Sequence, residues 1–350
     1  MHISVIMLHP YSDLPSNAFW RRAVAETSAS APEAISRPKF PLTRKDRIAT
    51  AGSCFAQHMG RALRAAGLKV LDAEPSPRGI GQAVLQQHGF GLYSGRYGNI
   101  YTARQLIQLL QEVADGRPDP AQIWRRGDRF HDALRPGLDP EGLDSPEEVL
   151  AIRRQHLSRL APMLAGADVF IFTLGLTEAW RCRETGRVYP TCPGVIAGSF
   201  DAARHEFVNF TYPDVVEDLQ KLRDGLHAFK PGMKLLLTVS PVPLTATASG
   251  NHVLPATQYS KATLRAAAGD FAALHDDVDY FPSYEIVINP AARGRFFSDG
   301  LRQVSPEGVA AVMQTFLATH GLSENMPPLS ADPDMDDPIC EEAMLEAYSP

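Results

Sequence analysis

The chain has 350 residues, 44% apolar and 21% charged, which suits a soluble globular protein long enough to bury a sizeable core. Its net charge of −6 is uneven, because Gly321 to Pro350 holds eight acidic and no basic residues and leaves the rest near +2, with no basic stripe for nucleic acid. No apolar run reaches the roughly 18 residues of a membrane span, four cysteines (Cys54, Cys182, Cys192, Cys340) are too few and scattered for a disulfide framework, and the N-terminus lacks the pattern of a signal peptide, so the expected location is the cytoplasm.

In chain order, "RIATAGSCF" reads as a buried strand that turns at Gly52. Phe55, Met59, Leu63 and Ala66 then recur at helical spacing, Gly67 stops the helix, and "LKVLDAE" gives a second strand. Gly79 to Gly98 is rich in Gly, Tyr and Gln, and leads to a helix that Thr102 would cap. "DVFIFTLGLTEAW" is a third strand that breaks at Gly175, and Arg181 to Phe210 carries the turn signals of a β-rich insertion. A helix, a Lys-Pro-Gly turn and "KLLLTVSPVPL" supply a fourth strand, and "SKATLRAAAGDFAALHDDVDYFPSYEIV" repeats the helix-strand pattern up to Tyr284-Glu285. "SPEGVAAVMQTFLATHGL" closes with a helix capped by Ser305, with Pro306 at its first position. This alternation predicts an α/β fold with a mostly parallel sheet in one domain over 1–320. The acidic, proline-containing tail over 321–350 is expected to be flexible or draped along the surface.

Parallel sheets bind ligands beyond the carboxyl ends of their strands, so those ends carry the chemical argument. At Gly52-Ser53-Cys54 a sharp strand-to-helix turn would aim the free N–H groups of the helix at one exposed side chain. Those groups and the helix dipole favour a thiolate or a developing oxyanion. The alternative is a close-packed turn of small residues with Ser53 as the N-cap. His58 lies one turn past Cys54 on the same face and can depress the thiol pKa, or serve only the core. Cys182 and Cys192 lack the paired spacing of a zinc site, and "GIGQAVLQQHGFG" lacks both the phosphate-loop spacing and a preceding strand. No metal and no cofactor is expected.

The stretch "GSCFAQHMGRAL" resembles the motif of the GSCFA family, related to SGNH/GDSL-like hydrolases. The resemblance extends through "NIYTARQL", "FHDALRP", "FTLGLTEAW", "LLTVSPVPLTATA", "HVLPATQYSKATLRAA", "DYFPSYEI" and "SPEGV". It implies a three-layer α/β/α, flavodoxin-like sandwich of the SGNH type. In such hydrolases a Gly-Asp-Ser block carries the nucleophile, a glycine and an Asn complete the oxyanion hole, and a late Asp-x-x-His completes the triad. Matched by position, Cys54 falls where that serine stands and Ser53 where the Asp stands, and Ser53 remains the alternative nucleophile. Gly175 and Thr177 resemble the Gly-x-Asn block; Glu178 beside them would orient a histidine or serve as an N-terminal helix residue, and Asn99 is a second donor or a turn residue. In "FFSDGLRQVSPEGV" Asp299 is present, but Arg302 stands where the histidine should be. The substitutes are His252, after the fourth strand, which is otherwise a loop histidine bonded to backbone, with Glu285 as its carboxylate partner or else in a salt bridge or helix cap, and more weakly His131. Lys261 and Arg265 would meet an anionic group or form a solvated face. The implied activity is an acyl-ester hydrolase or O-acyltransferase acting on a small-molecule or carbohydrate ester. The alternative from the missing histidine is a non-catalytic glycan- or protein-binding module. The sequence gives no oligomeric state.

Overall fold

A computed structural model describes residues 9–30, 34–322 and 341–348. The first apolar run is β1 (Arg47–Gly52), which turns through Ser53 and Cys54 into α1 (Phe55–Ala65). β2 is two residues long (Lys69–Val70), shorter than the run "LKVLDAE" predicts, and α2 (Gln82–Gln87) follows. α3 (Ala103–Asp115) begins at a capping box in which Thr102 and Gln105 satisfy each other's backbone N–H groups, and ends at left-handed Gly116. Next come a hairpin of β3 (Ile123–Arg126) and β4 (Arg129–Asp132) and then α4 (Pro146–Gly166), started by Ser145 with Pro146 behind it.

β5 (Val169–Leu174) is the central strand and is buried along its whole length. The insertion is a three-stranded antiparallel sheet, β7-β6-β8, of β6 (Glu178–Cys182), β7 (Val188–Tyr189) and β8 (His205–Asn209). α5 (Tyr212–Phe229), β9 (Lys234–Val239), α6 (Val253–Leu274) and β10 (Val278–Tyr280) return the chain to the main sheet. α7 (Ser283–Val287) and α8 (Pro306–Thr319) complete the core, and residues 341–348 form a short 3-10 helix. Most of the predicted flexible tail lies outside the described residues.

The main sheet has the order β10-β9-β5-β1-β2 with every pairing parallel. Counted along the chain, that is the doubly wound order 2-1-3-4-5, whose switch point falls between β1 and β5. Residue alternation divides the core into two layers. Ala49, Ala51, Phe170, Phe172 and Leu237 face α3, α4, α5 and α6. Ile48, Val169, Ile171 and Leu236 face α1, α7 and α8. The protein is therefore α/β, with helices on both faces of a parallel sheet. No helix among the described residues is long and apolar enough to cross a membrane.

Candidate functional site

The switch point brings Gly52-Ser53-Cys54 and Gly175 side by side. Gly52 has φ +145°, and a Cβ there would lie 2.5 Å from the Thr173 carbonyl oxygen, so a glycine is required. The amide of Ser53 donates to the same carbonyl at 3.1 Å, which fixes the turn against β5. A Cβ on Gly175 would lie 3.0 Å from that of Ser53. The Gly175 N–H donates to the Tyr101 carbonyl at 2.8 Å, and its own carbonyl accepts from Lys261 Nζ at 2.7 Å.

Ser53 is 2% exposed, and among the described residues its hydroxyl has no hydrogen-bond partner. Around it the Tyr93 hydroxyl donates to the Ser53 carbonyl at 3.2 Å, and Gln57 Nε2 donates to the Tyr93 oxygen at 3.2 Å. Asn99 Oδ1 accepts from both Tyr93 and Gln57. Tyr93 and Gln57 are polar members of this site that sequence reasoning did not single out. The signal for Gln57 was its position one turn into α1, next to His58.

Cys54 is buried at the start of α1 and carries a thiol. It lines a cavity of about 20 Å³ with His58, Val242, Arg302, Gln303 and Val304. That volume holds about one water molecule. The late block therefore reaches the first strand's tip, where Arg302 lines the same cavity as Cys54. The loop is closed by an antiparallel bridge between Phe297 and Val304, which leaves Asp299 exposed at its far side. His58 is buried, and among the described residues its Nδ1 has no hydrogen-bond partner. Burial first, and then the nearby Arg61 charge, push its pKa down to about 4, so the imidazole is neutral at pH 7.

Other expectations are redirected by the fold. His252 is exposed as the N-cap of α6, where its Nδ1 accepts from the Leu254 amide at 3.1 Å. Glu285 lies on α7 rather than at a strand end, accepting from Arg265 and from the Tyr280 hydroxyl at 2.8 Å. The two thus have different partners, and a strong cation next door suffices to claim the carboxylate. Thr177 donates its hydroxyl to Asn209 Oδ1 at 2.6 Å and its amide to Ser260 Oγ at 2.9 Å, so both of its donors are used. Glu178 is the first residue of β6, not of a helix, and accepts from the Thr247 hydroxyl at 2.7 Å rather than from a histidine. Lys261, expected on a solvated face or at an anion, is 1% exposed and donates to Gly175. His131 is buried on β4 beneath Gly142. Among the described residues no group of His, Cys, Asp and Glu could hold a metal ion.

No curated protein and no solved structure matches the chain. The family model of the GSCFA family matches residues 47–316, from the first residue of β1 into α8. That span holds the strand-tip turn, Gly175 and the late loop, and by this match over most of its length the chain belongs to the GSCFA family.

Proposed function

We propose that the protein is an SGNH-like acyl-ester hydrolase or O-acyltransferase that works through an acyl-enzyme on Cys54, with Ser53 as the alternative nucleophile. One observation carries the reading: Cys54, His58 and the late loop at Arg302 line a single cavity at the carboxyl end of a doubly wound parallel sheet. In this scheme the neutral His58 imidazole takes the thiol proton, and the Arg302 charge beside the sulfur favours the thiolate. The sulfur attacks the acyl carbon, the C–O bond breaks, and the leaving alkoxide takes the proton from His58. Water or an acceptor hydroxyl then gives up its proton to His58 and cleaves the thioester. Acylated carbohydrate is the substrate class that the family resemblance suggests. His58 replaces His252 as the base in this reading because it shares the cavity with Cys54.

The test is turnover of p-nitrophenyl acetate by the full chain. Cys54→Ala is expected to reduce the rate to background, and Ser53→Ala to retain most of it. The reverse result assigns the serine. Indifference to both substitutions, with sluggish and unselective labelling of Cys54 by iodoacetamide, rejects the enzyme in favour of a binding module. His58→Gln is expected to lower kcat about a hundredfold. If His58 is the base, the acid limb of kcat/KM falls near pH 4 rather than near the ordinary histidine value of 6.5.

A further inference from the structure

A second, larger cavity of about 420 Å³ lies beside the site, between the insertion sheet, the loop at 244–248 and the helix 341–348. Its lining is dominated by aromatic rings and aliphatic side chains, with Trp180, Tyr189, Phe200 and Phe207 among the rings. Trp180 is packed edge-on by both Phe200 and Phe207, with centroids 5.2 and 5.9 Å away, which holds the rings in place.

Two polar groups stand out against these walls. Glu178 is only 8% exposed, and among the described residues it makes no ion pair. It accepts hydrogen bonds from the Thr247 hydroxyl at 2.7 Å and from the Ala248 backbone N–H. Burial pushes its pKa up, as expected for a carboxyl removed from water with no cation nearby. Thr191, 5% exposed, also lines the cavity, and among the described residues its hydroxyl has no hydrogen-bond partner. An unpaired buried hydroxyl such as that of Thr191 costs free energy unless something bound in the cavity meets it.

We propose that this cavity binds an organic cation of the quaternary ammonium type, with the Glu178 carboxylate opposite its charge and aromatic faces around it. Aromatic rings attract such a cation through their quadrupoles, most strongly when both are desolvated. A quaternary ammonium carries charge but no N–H, so a cavity with one carboxylate among rings leaves nothing on it unsatisfied. A primary ammonium would bring three donors that each need an acceptor, whereas a quaternary one needs only the Glu178 charge and apolar contact with the rings. An anion would meet Glu178 directly. The Thr191 hydroxyl is available to a polar atom elsewhere on the ligand. The inference does not rest on the nucleophile, since no residue of the Cys54 cavity is used.

The probe is choline, titrated calorimetrically into the full chain beside its uncharged carbon isostere dimethylbutanol. Choline is expected to bind about tenfold or more tightly than the isostere. Glu178→Gln, which keeps an acceptor for Thr247, should remove that preference while near-UV circular dichroism stays native. Phe200→Leu changes a ring that is 48% exposed, so the fold tolerates it, and should weaken choline several-fold. Equal binding of the two probes, no choline binding at millimolar concentration, or unchanged choline affinity in the Gln variant would each overturn the proposal. Binding of choline by Cys54→Ala as by the unaltered chain keeps the inference separate from the catalytic reading.

Discussion

A methyl group at Gly52 would meet the Thr173 carbonyl oxygen at 2.5 Å and Thr173 Cβ at 2.8 Å, on a residue whose φ is +145°. Neither the strand pairing nor the conformation can absorb it, so Gly52→Ala is expected to cost about 3 kcal/mol or more. Thermal unfolding should register this as a Tm fall of roughly 5 °C or more. The side chains after Gly52 were the most legible part of the site, because a strand that ends in Gly-Ser-Cys before an amphipathic run has few other shapes to take. The roles of individual polar groups were not legible. Lys261 sits at helical spacing from Arg265, which suggests one shared face, yet its ammonium is buried against Gly175 while Arg265 stacks 4.2 Å over the Tyr280 ring and pairs with Glu285. Spacing specifies the face of a helix; it does not specify which strand end the next helix covers.

At the level of elements, the capping box of α3 holds part of the site in position. Gln105 Oε1 accepts from the amides of both Tyr101 and Thr102 at 2.9 Å. The Tyr101 carbonyl in turn accepts from the amides of Gly175 and Leu176 at 2.8 and 3.2 Å. A helix start is thereby tied to the strand end beside Ser53. Thr102→Ala is expected to cost about 1 kcal/mol of stability, measured by urea unfolding. Thr102 itself was readable as a cap; its effect on Gly175 was not, because the contact joins segments more than seventy residues apart. α4 was missed altogether, although Ser145-Pro146-Glu147-Glu148 is a helix start with acidic residues in its first turn. Glu285 was placed at a strand end because β10 is only three residues long and the apolar run continues into α7.

For the molecule as a whole, three buried histidines share one electrostatic consequence. Burial pushes His58 and His320 down to about 4, and burial with the Arg135 charge pushes His156 down to about 3 while Glu74, 2.7 Å from its Nδ1, stays ionised. An unfolded chain protonates these rings near pH 6.5, whereas the folded chain resists until about pH 4 or below. Stability is therefore full above pH 6.5 and is lost as pH falls from there toward 4, by a few kcal/mol for each ring. A urea midpoint that stays flat between pH 7 and pH 4.5 would contradict this. The fold class was legible because the central strands β1, β5 and β9 are apolar runs with a helix before or after each of them. The meeting of Arg302 with Cys54 was legible only through the family resemblance, since no local pattern links a hairpin loop to a strand some 250 residues earlier. The bond from Lys261 to the Gly175 carbonyl has a mechanical corollary. It works as a strut between the 22-residue α6, whose N-terminus is capped by His252, and Gly175, packed against Ser53. A rotation or slide of that rod would carry Gly175, and with it the packing against Ser53, so a fluorophore attached near His252 is expected to report such a movement.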